Sequence, residues 1–314
     1  MDLMADIGAT HTRCALVNDK GKELASEVFQ NADFTGVPVL LSVYLDHRRA
    51  TDRPKRAAIA VAAPILGDEV RMINIDWRFS QSALKEKLGL TKLTVCNDFA
   101  AVAWGLPRFG PADLRAVGRG KRAAHATLLS VGPGTGFGVA ALVPATDGWT
   151  VLSGEGGHAN LPATTREEAD VIALIRERCD GHCSAERVLS GPGLVNLYVA
   201  LAELAGRGRP TVTPADVTGL AKQGEPLARK TLAMFFAFLG AVAGDIALTT
   251  GARGGVFIAG GIVPRVLDAF VKSEFRARFD AKDGYGDYMA RIPTHVITAP
   301  VPAFRGLKTL LGYP

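Results

Sequence analysis

The sequence is poor in cysteine and aromatic residues, and it contains no long uninterrupted hydrophobic run. Only 4 of its 314 residues are cysteine, and 7% are Phe, Trp or Tyr. Cys14 and Cys96 lie inside apolar, strand-like runs, which favours free buried thiols in a reducing compartment over a disulfide framework. The longest apolar stretch, Leu232 to Gly244, is too short to span a bilayer and ends at Asp245. Since no signal-peptide pattern precedes the first strand, we expect a cytoplasmic protein without membrane attachment.

The sequence also contains no strong signal of a zinc site or of a nucleic-acid interface. Cys179, His182 and Cys183 form a Cys-x2-His-Cys cluster, but a structural zinc site needs four ligands and no second pair follows. The net charge is +5, and the denser basic clusters at 47–56 and 115–122 contain almost no aromatic residues. This pattern favours a solvated surface over a nucleic-acid interface, so we expect no nucleic-acid partner.

Two common signatures of phosphate transfer are missing. The stretch Gly118-Arg119-Gly120-Lys121-Arg122 has neither the spacing nor the residues of a P-loop, and the protein-kinase motifs do not occur. Apolar residues make up 48% of the chain and charged residues 21%, as in ordinary globular proteins. A chain of this length forms one large or two moderate domains.

Three glycine-rich turns each follow or join predicted strands. Glycine lets backbone N–H groups approach phosphate oxygens closely, and a threonine hydroxyl adds a further donor. Each turn taken singly could be purely structural, but three of them at strand ends indicate a nucleotide site built from two parts. The turns are Asp6-Ile7-Gly8-Ala9-Thr10, Gly132-Pro133-Gly134-Thr135-Gly136-Phe137-Gly138 and Gly260-Gly261.

A carboxylate lies between the first two turns. Asp98 follows the apolar run Leu93 to Cys96, and in an open α/β sheet ligands bind at the carboxyl ends of such strands. A carboxylate near two phosphate-binding turns predicts phosphoryl transfer to an alcohol. The alternative is a helix N-cap, since aspartate after a strand is a common cap.

Hydrophobic periodicity predicts an alternating α/β organisation with two related halves that face each other across a cleft. The connection Pro107 to Ala124 is rich in Gly, Pro and Arg and predicts a boundary or surface segment. Thr165-x-x-Glu168 has the spacing of a capping box, and Ser80 is a predicted N-cap. The predicted strands are Leu3–Ala5, Arg13–Val17, Ala57–Ala62, Leu93–Cys96, Thr127–Val131, Val139–Leu142 and Val256–Ala259, and the predicted helices are Val37–His47, 80–87, Glu167–Arg178 and 226–248.

Taken together, the motifs resemble those of the bacterial glucokinase family, in the family's order and over nearly the whole chain. They are Asp6-x-Gly8-x-Thr10-x-x-Arg13, Asn97-Asp98-Phe99, the turn 132–138, Gly154-Glu155-Gly156-Gly157-His158, the segment 184–193 and the segment 255–262. The resemblance implies a two-domain actin/hexokinase-like fold, related to ribonuclease H, with an interdomain cleft. The implied small domain covers 1–108, with 299–314 returning to it, and the large domain covers 109–298.

The resemblance further implies ATP-dependent phosphorylation of D-glucose at its 6-hydroxyl, with Asp98 as general base and a homodimeric assembly. It implies Mg²⁺, held by Asp6 through water. The implied sugar-binding residues are Asn97, Glu155, His158, Glu186 and Asn74. The implied ATP-binding residues are Asp6, Ile7, Gly8, Ala9, Thr10, Gly132, Gly134, Thr135, Gly136, Gly260 and Gly261.

Several alternatives stay open at this point. The sugar is glucose, another hexose or an amino sugar, and a low-turnover sugar or nucleotide sensor is the alternative outside enzymes. The sensor is motivated by Ala9 and His11, which stand where the family has Gly-Gly-Thr-Asn. Alanine tolerates positive φ poorly, so either Ala9 is not left-handed or the turn is shifted. His158 is alternatively an interior histidine and Glu186 an ion-pair partner of Arg187. For Trp77, beside Asn74, we expect core packing.

Overall fold

The computed structural model describes residues 1–48 and 52–313. Residues 49–51 of the first basic cluster, and residue 314, lie outside the described residues. The chain divides into two compact units. The first unit comprises Met1–Gly110, Val151–Gly154 and Ala299–Pro314, and the second comprises Pro111–Thr150 and Glu155–Thr298.

Strands and helices alternate along the chain, as the periodicity predicts. The strands are β1 Asp2–Ile7, β2 His11–Val17, β3 Glu23–Gln30, β4 Arg56–Val61, β5 Glu69–Arg71, β6 Arg78–Ser80, β7 Lys92–Asn97, β8 Leu114–Val117, β9 Leu128–Pro133, β10 Phe137–Ala145, β11 Gly148–Gly154, β12 Gly255–Ile258 and β13 Thr294–Ile297. The helices are α1 Val37–Asp46, α2 Gln81–Lys87, α3 Asp98–Gly105, α4 Arg166–Glu177, α5 Gly191–Leu204, α6 Pro214–Gln223, α7 Pro226–Thr250, α8 Leu267–Val271, α9 Phe275–Asp280, α10 Gly286–Ala290 and α11 Ala303–Leu310. All seven predicted strands and all four predicted helices are confirmed within a few residues.

The first unit is built on a five-stranded sheet in the order β3-β2-β1-β4-β7. β1 and β2 form the predicted antiparallel hairpin, whereas β4 runs parallel to β1 and to β7. The central strands are buried because apolar residues fill β1 and β4 almost without interruption. The carboxyl ends of β1, β4 and β7 therefore meet at one edge of this sheet.

The second sheet repeats the plan of the first, in the order β11-β10-β9-β12-β13-β8. β9 and β10 form an antiparallel hairpin, and β12 runs parallel to both β9 and β13. β8 adds an antiparallel edge strand inside the segment that the sequence predicts as a connection. The predicted similarity between the two halves and the predicted α/β class are confirmed by this topology.

The helix starts follow from local side-chain chemistry. The Ser80 hydroxyl accepts a hydrogen bond from the Ala83 N–H at the start of α2. Thr165 and Glu168 form the predicted capping box of α4, in which each side chain accepts from the other residue's backbone. The predictions for these two helix starts are confirmed.

Helix α7 is the core of the second unit. It spans 25 residues and ends where Gly251 takes a left-handed conformation with φ of 61°. By length and composition it could cross a membrane, but 78% of its most apolar window is buried inside the protein. Burial around most of its circumference is the pattern of a core helix in a globular protein.

The C-terminal segment packs within the first unit. Helix α11 lies so close to α3 that a Cβ on Gly306 would fall 1.7 Å from the Ala101 carbonyl oxygen. Beyond α11, the Tyr313 hydroxyl donates to Asp2 Oδ2 at 2.6 Å, and Arg56 Nη2 donates to the same oxygen at 2.5 Å. Burial of Asp2 opposes its ionisation, yet the hydrogen bonds from Arg56 and Tyr313 hold its pKa below the usual value.

We expect Tyr313→Phe to destabilise the protein by about 1–2 kcal/mol, because a buried carboxylate loses one charge-assisted donor. The lowered pKa of Asp2 sets the pH dependence. The stabilisation is complete above the unfolded-state pKa and is lost as the pH falls through the lower folded-state pKa. Urea unfolding at pH 7 and in acid measures the difference, with exposed Tyr285→Phe as control. Equal stability of Tyr313→Phe and wild type at pH 7 would contradict this anchoring role.

Candidate active site

The first glycine turn joins β1 to β2 at the carboxyl edge of the first sheet. The Gly8 N–H donates to the His11 carbonyl at 3.0 Å and closes the turn. Asn31, only 1% exposed, holds it from the side. Its Nδ2 donates to the Gly8 carbonyl at 2.8 Å, its Oδ1 accepts from Thr12 Oγ1 at 2.8 Å, and its backbone N–H donates to the Thr10 carbonyl at 2.9 Å. One asparagine therefore determines the shape of the turn.

Ala9 occupies this turn without backbone strain. The non-glycine residues with positive φ in the described part of the chain are Ala25, His125, Asp180 and Val301, so Ala9 is not left-handed. Of the two possibilities that the sequence left open, the first is therefore confirmed. The turn is closed by hydrogen bonds rather than by a left-handed residue, and alanine is compatible with it.

Asp6 carries the negative charge of this region. It lies opposite Arg13 in the β1–β2 ladder. Burial raises the pKa of the Asp6 carboxyl, and the positive charge of Arg13 opposes that increase. A carboxylate whose charge is only partly compensated is suited to a further cation, so Asp6 fits a magnesium ion bound through water.

Asp98 is the first residue of α3, immediately after β7. The N-cap is Asn97, whose Oδ1 accepts from the Phe99 N–H at 2.9 Å and from the Ala100 N–H at 3.2 Å. The N-cap alternative for Asp98 is therefore wrong, because its neighbour performs that role. Asp98 Oδ1 accepts from the Phe99 N–H at 2.9 Å, which orients the half-buried carboxylate at the helix N-terminus.

The second glycine turn joins β9 to β10 in the second unit. The Gly134 N–H donates to the Gly136 carbonyl at 2.8 Å, and the Gly134 carbonyl accepts from Gly191, at the start of α5, at 2.9 Å. The third turn lies directly against it. A Cβ on Gly260 would fall 2.2 Å from the Pro133 carbonyl oxygen, and one on Gly132 would fall 2.1 Å from that of Ala259. Only glycine permits this approach, which brings the second and third predicted turns together.

Glu186 lies against the second turn. Its Oε2 accepts from the Phe137 N–H at 2.8 Å. Glu186 forms no ion pair with Arg187, although both residues belong to the described part of the chain, so that alternative is wrong. The carboxylate therefore supports the turn and keeps its second oxygen for another donor.

The segment of Glu155 and His158 is joined to the segment of Glu186 by backbone hydrogen bonds. The Ala185 N–H donates to the Ala159 carbonyl at 2.9 Å, and the Leu161 N–H donates to the Cys183 carbonyl at 3.0 Å. Both Glu155 and His158 are exposed, so the interior-histidine alternative for His158 is wrong. The second unit thus brings the three predicted sugar-binding residues and two glycine turns into one region.

The remaining predicted residues of the first unit differ in exposure. Asn74 is exposed, whereas Trp77 is 5% exposed and belongs to the hydrophobic core, which confirms the expected packing role. Asn97 uses its amide oxygen as the helix cap, and its Nδ2 lies 3.4 Å from the Ala63 carbonyl. Sugar binding by Asn74 and Asn97 stays a prediction.

Sequence reasoning missed Asn31. No motif marks it, because an isolated asparagine at the end of a strand is common in turns. The predicted free thiols are confirmed for all four cysteines, and burial raises the pKa of Cys96 to about 12. Within residues 1–48 and 52–313, no group of three or more His, Cys, Asp or Glu side chains is arranged to hold a metal ion.

Two mixed sheets on one plan, with glycine turns between their hairpin strands, define the actin/hexokinase-like class of proteins. Comparison with known proteins narrows this class. The sequence model of the glucokinase family matches residues 3–312. The glucokinase of Paramagnetospirillum magneticum is 45% identical, with 100% of this chain and 98% of the relative covered. That of Nitrobacter hamburgensis is 43% identical, with 98% and 96% covered.

Solved structures agree with this relationship. A glucokinase from an Antarctic psychrotroph has a TM-score of 0.87 and 35% identity, with 99% of this chain and 98% of that chain covered. A glucokinase from Streptomyces griseus, solved with glucose and AMPPNP, has a TM-score of 0.66, covers 98% of each chain and is 19% identical, so it shows the fold alone. The chain belongs to the glucokinase family. The predicted family, the actin/hexokinase-like fold and the glucose-phosphorylating enzyme class are confirmed.

We expect Asn31→Ala to destabilise the protein by at least about 2 kcal/mol, because the Gly8 carbonyl and the Thr12 hydroxyl both lose a buried partner. The KM for ATP should rise about tenfold as the turn loses its shape, a change that corresponds to roughly 1.4 kcal/mol. Thermal unfolding and steady-state kinetics measure the two effects. Asn18→Ala is the matched control, since Asn18 holds the β2–β3 turn at the other end of β2. An unchanged KM for ATP in Asn31→Ala would show that Asn31 has a role in stability alone.

Proposed function

We propose that the protein transfers the γ-phosphoryl group of ATP to the 6-hydroxyl of D-glucose, with Asp98 as the general base. The Asp98 carboxylate accepts the hydroxyl proton as the sugar oxygen attacks phosphorus and the bond to the ADP oxygen breaks. The observation that carries this proposal is the location of Asp98 directly after β7. β7 is separated from β1 by β4 alone, so the strand ends that lead into Asp98 and into the first glycine turn lie about 10 Å apart along one sheet edge.

The sugar-binding role of Glu155, His158 and Glu186 is supported by the hydrogen bonds that join their segments. A carboxylate accepts from two adjacent hydroxyl groups, and a buried acceptor left without a donor disfavours the wrong epimer. Glu186 is suited to this role because one oxygen is fixed by the Phe137 N–H. Asn74 and Asn97 complete the proposed set from the first unit.

The nucleotide role of the glycine turns is supported by their backbone geometry. Residues 6–10 of the first unit and Gly132, Gly134, Thr135, Gly136, Gly260 and Gly261 of the second would donate N–H and hydroxyl groups to ATP. Asp6 would hold Mg²⁺ through water, and the ion would neutralise charge on the phosphates. The raised pKa of Asp6 supports that role, because burial leaves its charge in need of a cation.

The proposal also covers the location of the protein, its assembly and its domain movement. We place the protein in the cytoplasm without membrane attachment, as a homodimer, on the resemblance to the family. We further propose a small domain, 1–108 with 299–314, and a large domain, 109–298, that close over the sugar. Such closure would exclude water and limit hydrolysis of ATP.

Asp98→Asn should lower kcat for glucose by about 100- to 10,000-fold, because general-base catalysis is lost while the side chain keeps its shape. The KM for glucose should change less than fivefold or so, since the amide retains polar contacts. A coupled assay for ADP gives both constants. Asp147→Asn, an exposed residue in the β10–β11 turn, is the control. A variant as active as wild type would refute Asp98 as base.

A panel of glucose, mannose, fructose and glucosamine tests the choice of sugar in the same assay. Glucose should give the highest kcat/KM, because the proposed carboxylate acceptors discriminate between epimers at buried hydroxyls. Another sugar with an equal or higher kcat/KM would replace glucose in the proposal. A wild-type protein without turnover on any of the four would favour the sensor alternative.

Two substitutions of Glu186 separate its support of the turn from its contact with sugar. Glu186→Gln keeps an acceptor for the Phe137 N–H but loses the charge, so the KM for glucose should rise about tenfold or more with little change in melting temperature. Glu186→Ala should raise the KM as well and also lower stability by about 1–3 kcal/mol. Arg187→Ala is the adjacent control. An unchanged KM in Glu186→Gln would remove this residue from the sugar site.

A further inference from the structure

A cavity of about 820 Å³ lies in the second unit, and part of its lining begins three residues after the Gly260-Gly261 turn. One wall is formed by the end of α6 and the first half of α7, and the other by residues 264–273, which include α8. The cavity has the size of a small-molecule binding site, which is typically about 300–1,000 Å³. None of the residues of the turn 132–138 lines it.

The floor of the cavity is apolar. Leu232 and Phe236 of α7 are 5% and 1% exposed, and Leu267 faces the cavity from α8. These side chains suit the body of an organic ligand, since apolar surface gains free energy when water is displaced from it.

The rim of the cavity is strongly cationic. Lys222, Arg229, Arg265 and Lys272 line it together with a single acid, Asp268, so the net charge is four minus one, or +3. All four cations are exposed. Like charges gathered around one concave surface repel each other and attract anions.

The four cations have no acidic partner, unlike three basic residues on or beside neighbouring helices. In the described chain, outside 49–51 and 314, none of them takes part in an ion pair or a side-chain hydrogen bond. Lys230, the neighbour of Arg229 on α7, forms an ion pair with Glu167, and Arg278 and Lys282 pair with Glu168 and Asp245. The positive charge of these four side chains is therefore not neutralised by an ion pair, which favours the binding of an anion.

We propose that this cavity is a second binding site, which takes a small phosphate-bearing metabolite with an organic body. The guanidinium groups of Arg229 and Arg265 would bind phosphate oxygens in bidentate fashion, and the ammonium groups of Lys222 and Lys272 would add point charges. The apolar floor would accommodate the organic part. None of the residues proposed to bind sugar or phosphate lines the cavity, which favours an effector over a substrate as its ligand. This proposal holds whichever sugar the enzyme phosphorylates.

Calorimetric titration of the full chain tests the site while saturating glucose and Mg-AMPPNP occupy the reaction site. Glucose 6-phosphate and ADP are the two probes, and they distinguish a sugar phosphate from a nucleotide as the source of the phosphate group. We expect one of them to bind with one-to-one stoichiometry. The double variant Arg265→Glu/Lys272→Glu should weaken that binding at least tenfold, because it replaces two attractive charges with two repulsive ones.

Lys230→Glu is the matched control, since it reverses a neighbouring charge outside the cavity and should leave the binding unchanged. Circular dichroism establishes that both variants fold, and Arg229→Ala supplies a milder second variant. The proposal is overturned if neither probe binds, or if the charge-reversed protein binds as tightly as wild type. It is equally overturned if the double variant raises the KM for ATP tenfold, because the cavity would then hold part of the substrate nucleotide.

Discussion

The site in the second unit depends on a contact between two stretches of backbone. The β9–β10 turn and the turn after β12 approach so closely that Gly132 and Gly260 have no room for a Cβ. Because β9 and β12 are adjacent parallel strands, the sheet itself delivers both turns to the same edge. Backbone therefore meets backbone at Gly132 and Gly260, and such glycine turns allow a close approach of phosphate to the main chain.

The first unit holds its glycine turn in a different way. Its turn is held by the buried side chain of Asn31, which bonds to the backbone on either side of Ala9. The shape is therefore imposed from outside the turn, and no left-handed residue is needed within it. This explains why alanine at position 9 is compatible with the turn, although the sequence motif alone suggested a weakness there.

The charged groups of the site are oriented by their neighbours. Asn97 caps α3 and leaves the Asp98 carboxylate at the first helical position, and α11 packs against α3 through Gly306. In the second unit, Glu186 is fixed by the backbone of the second turn. Asp98 and Glu186 thus each have one oxygen engaged by a backbone N–H, which restricts their rotamers at little cost in free energy.

In the described chain, local patterns predicted seven of the thirteen strands and four of the eleven helices, and the missed strands share a physical cause. β1, β4, β7, β9 and β12 were predictable because apolar side chains fill their buried positions. The missed strands β3, β5, β6, β8, β11 and β13 are short or largely exposed, so they have little apolar pattern of their own and depend on hydrogen bonds to their partners. Asn31 was missed for a similar reason, since its function is defined by residues 19 and 23 positions earlier in the chain.

The sequence by itself determined the family, the order of the predicted strands and turns, and the choice of candidate carboxylates, because these reside in short motifs. Tertiary structure alone decided how the first turn is held, which residue caps α3, and that four cations on separate elements surround one cavity. The physical reason is distance along the chain. Hydrogen bonds and charge interactions between residues far apart in the chain produce no local pattern in the sequence. Buried strands and glycine turns do produce such patterns.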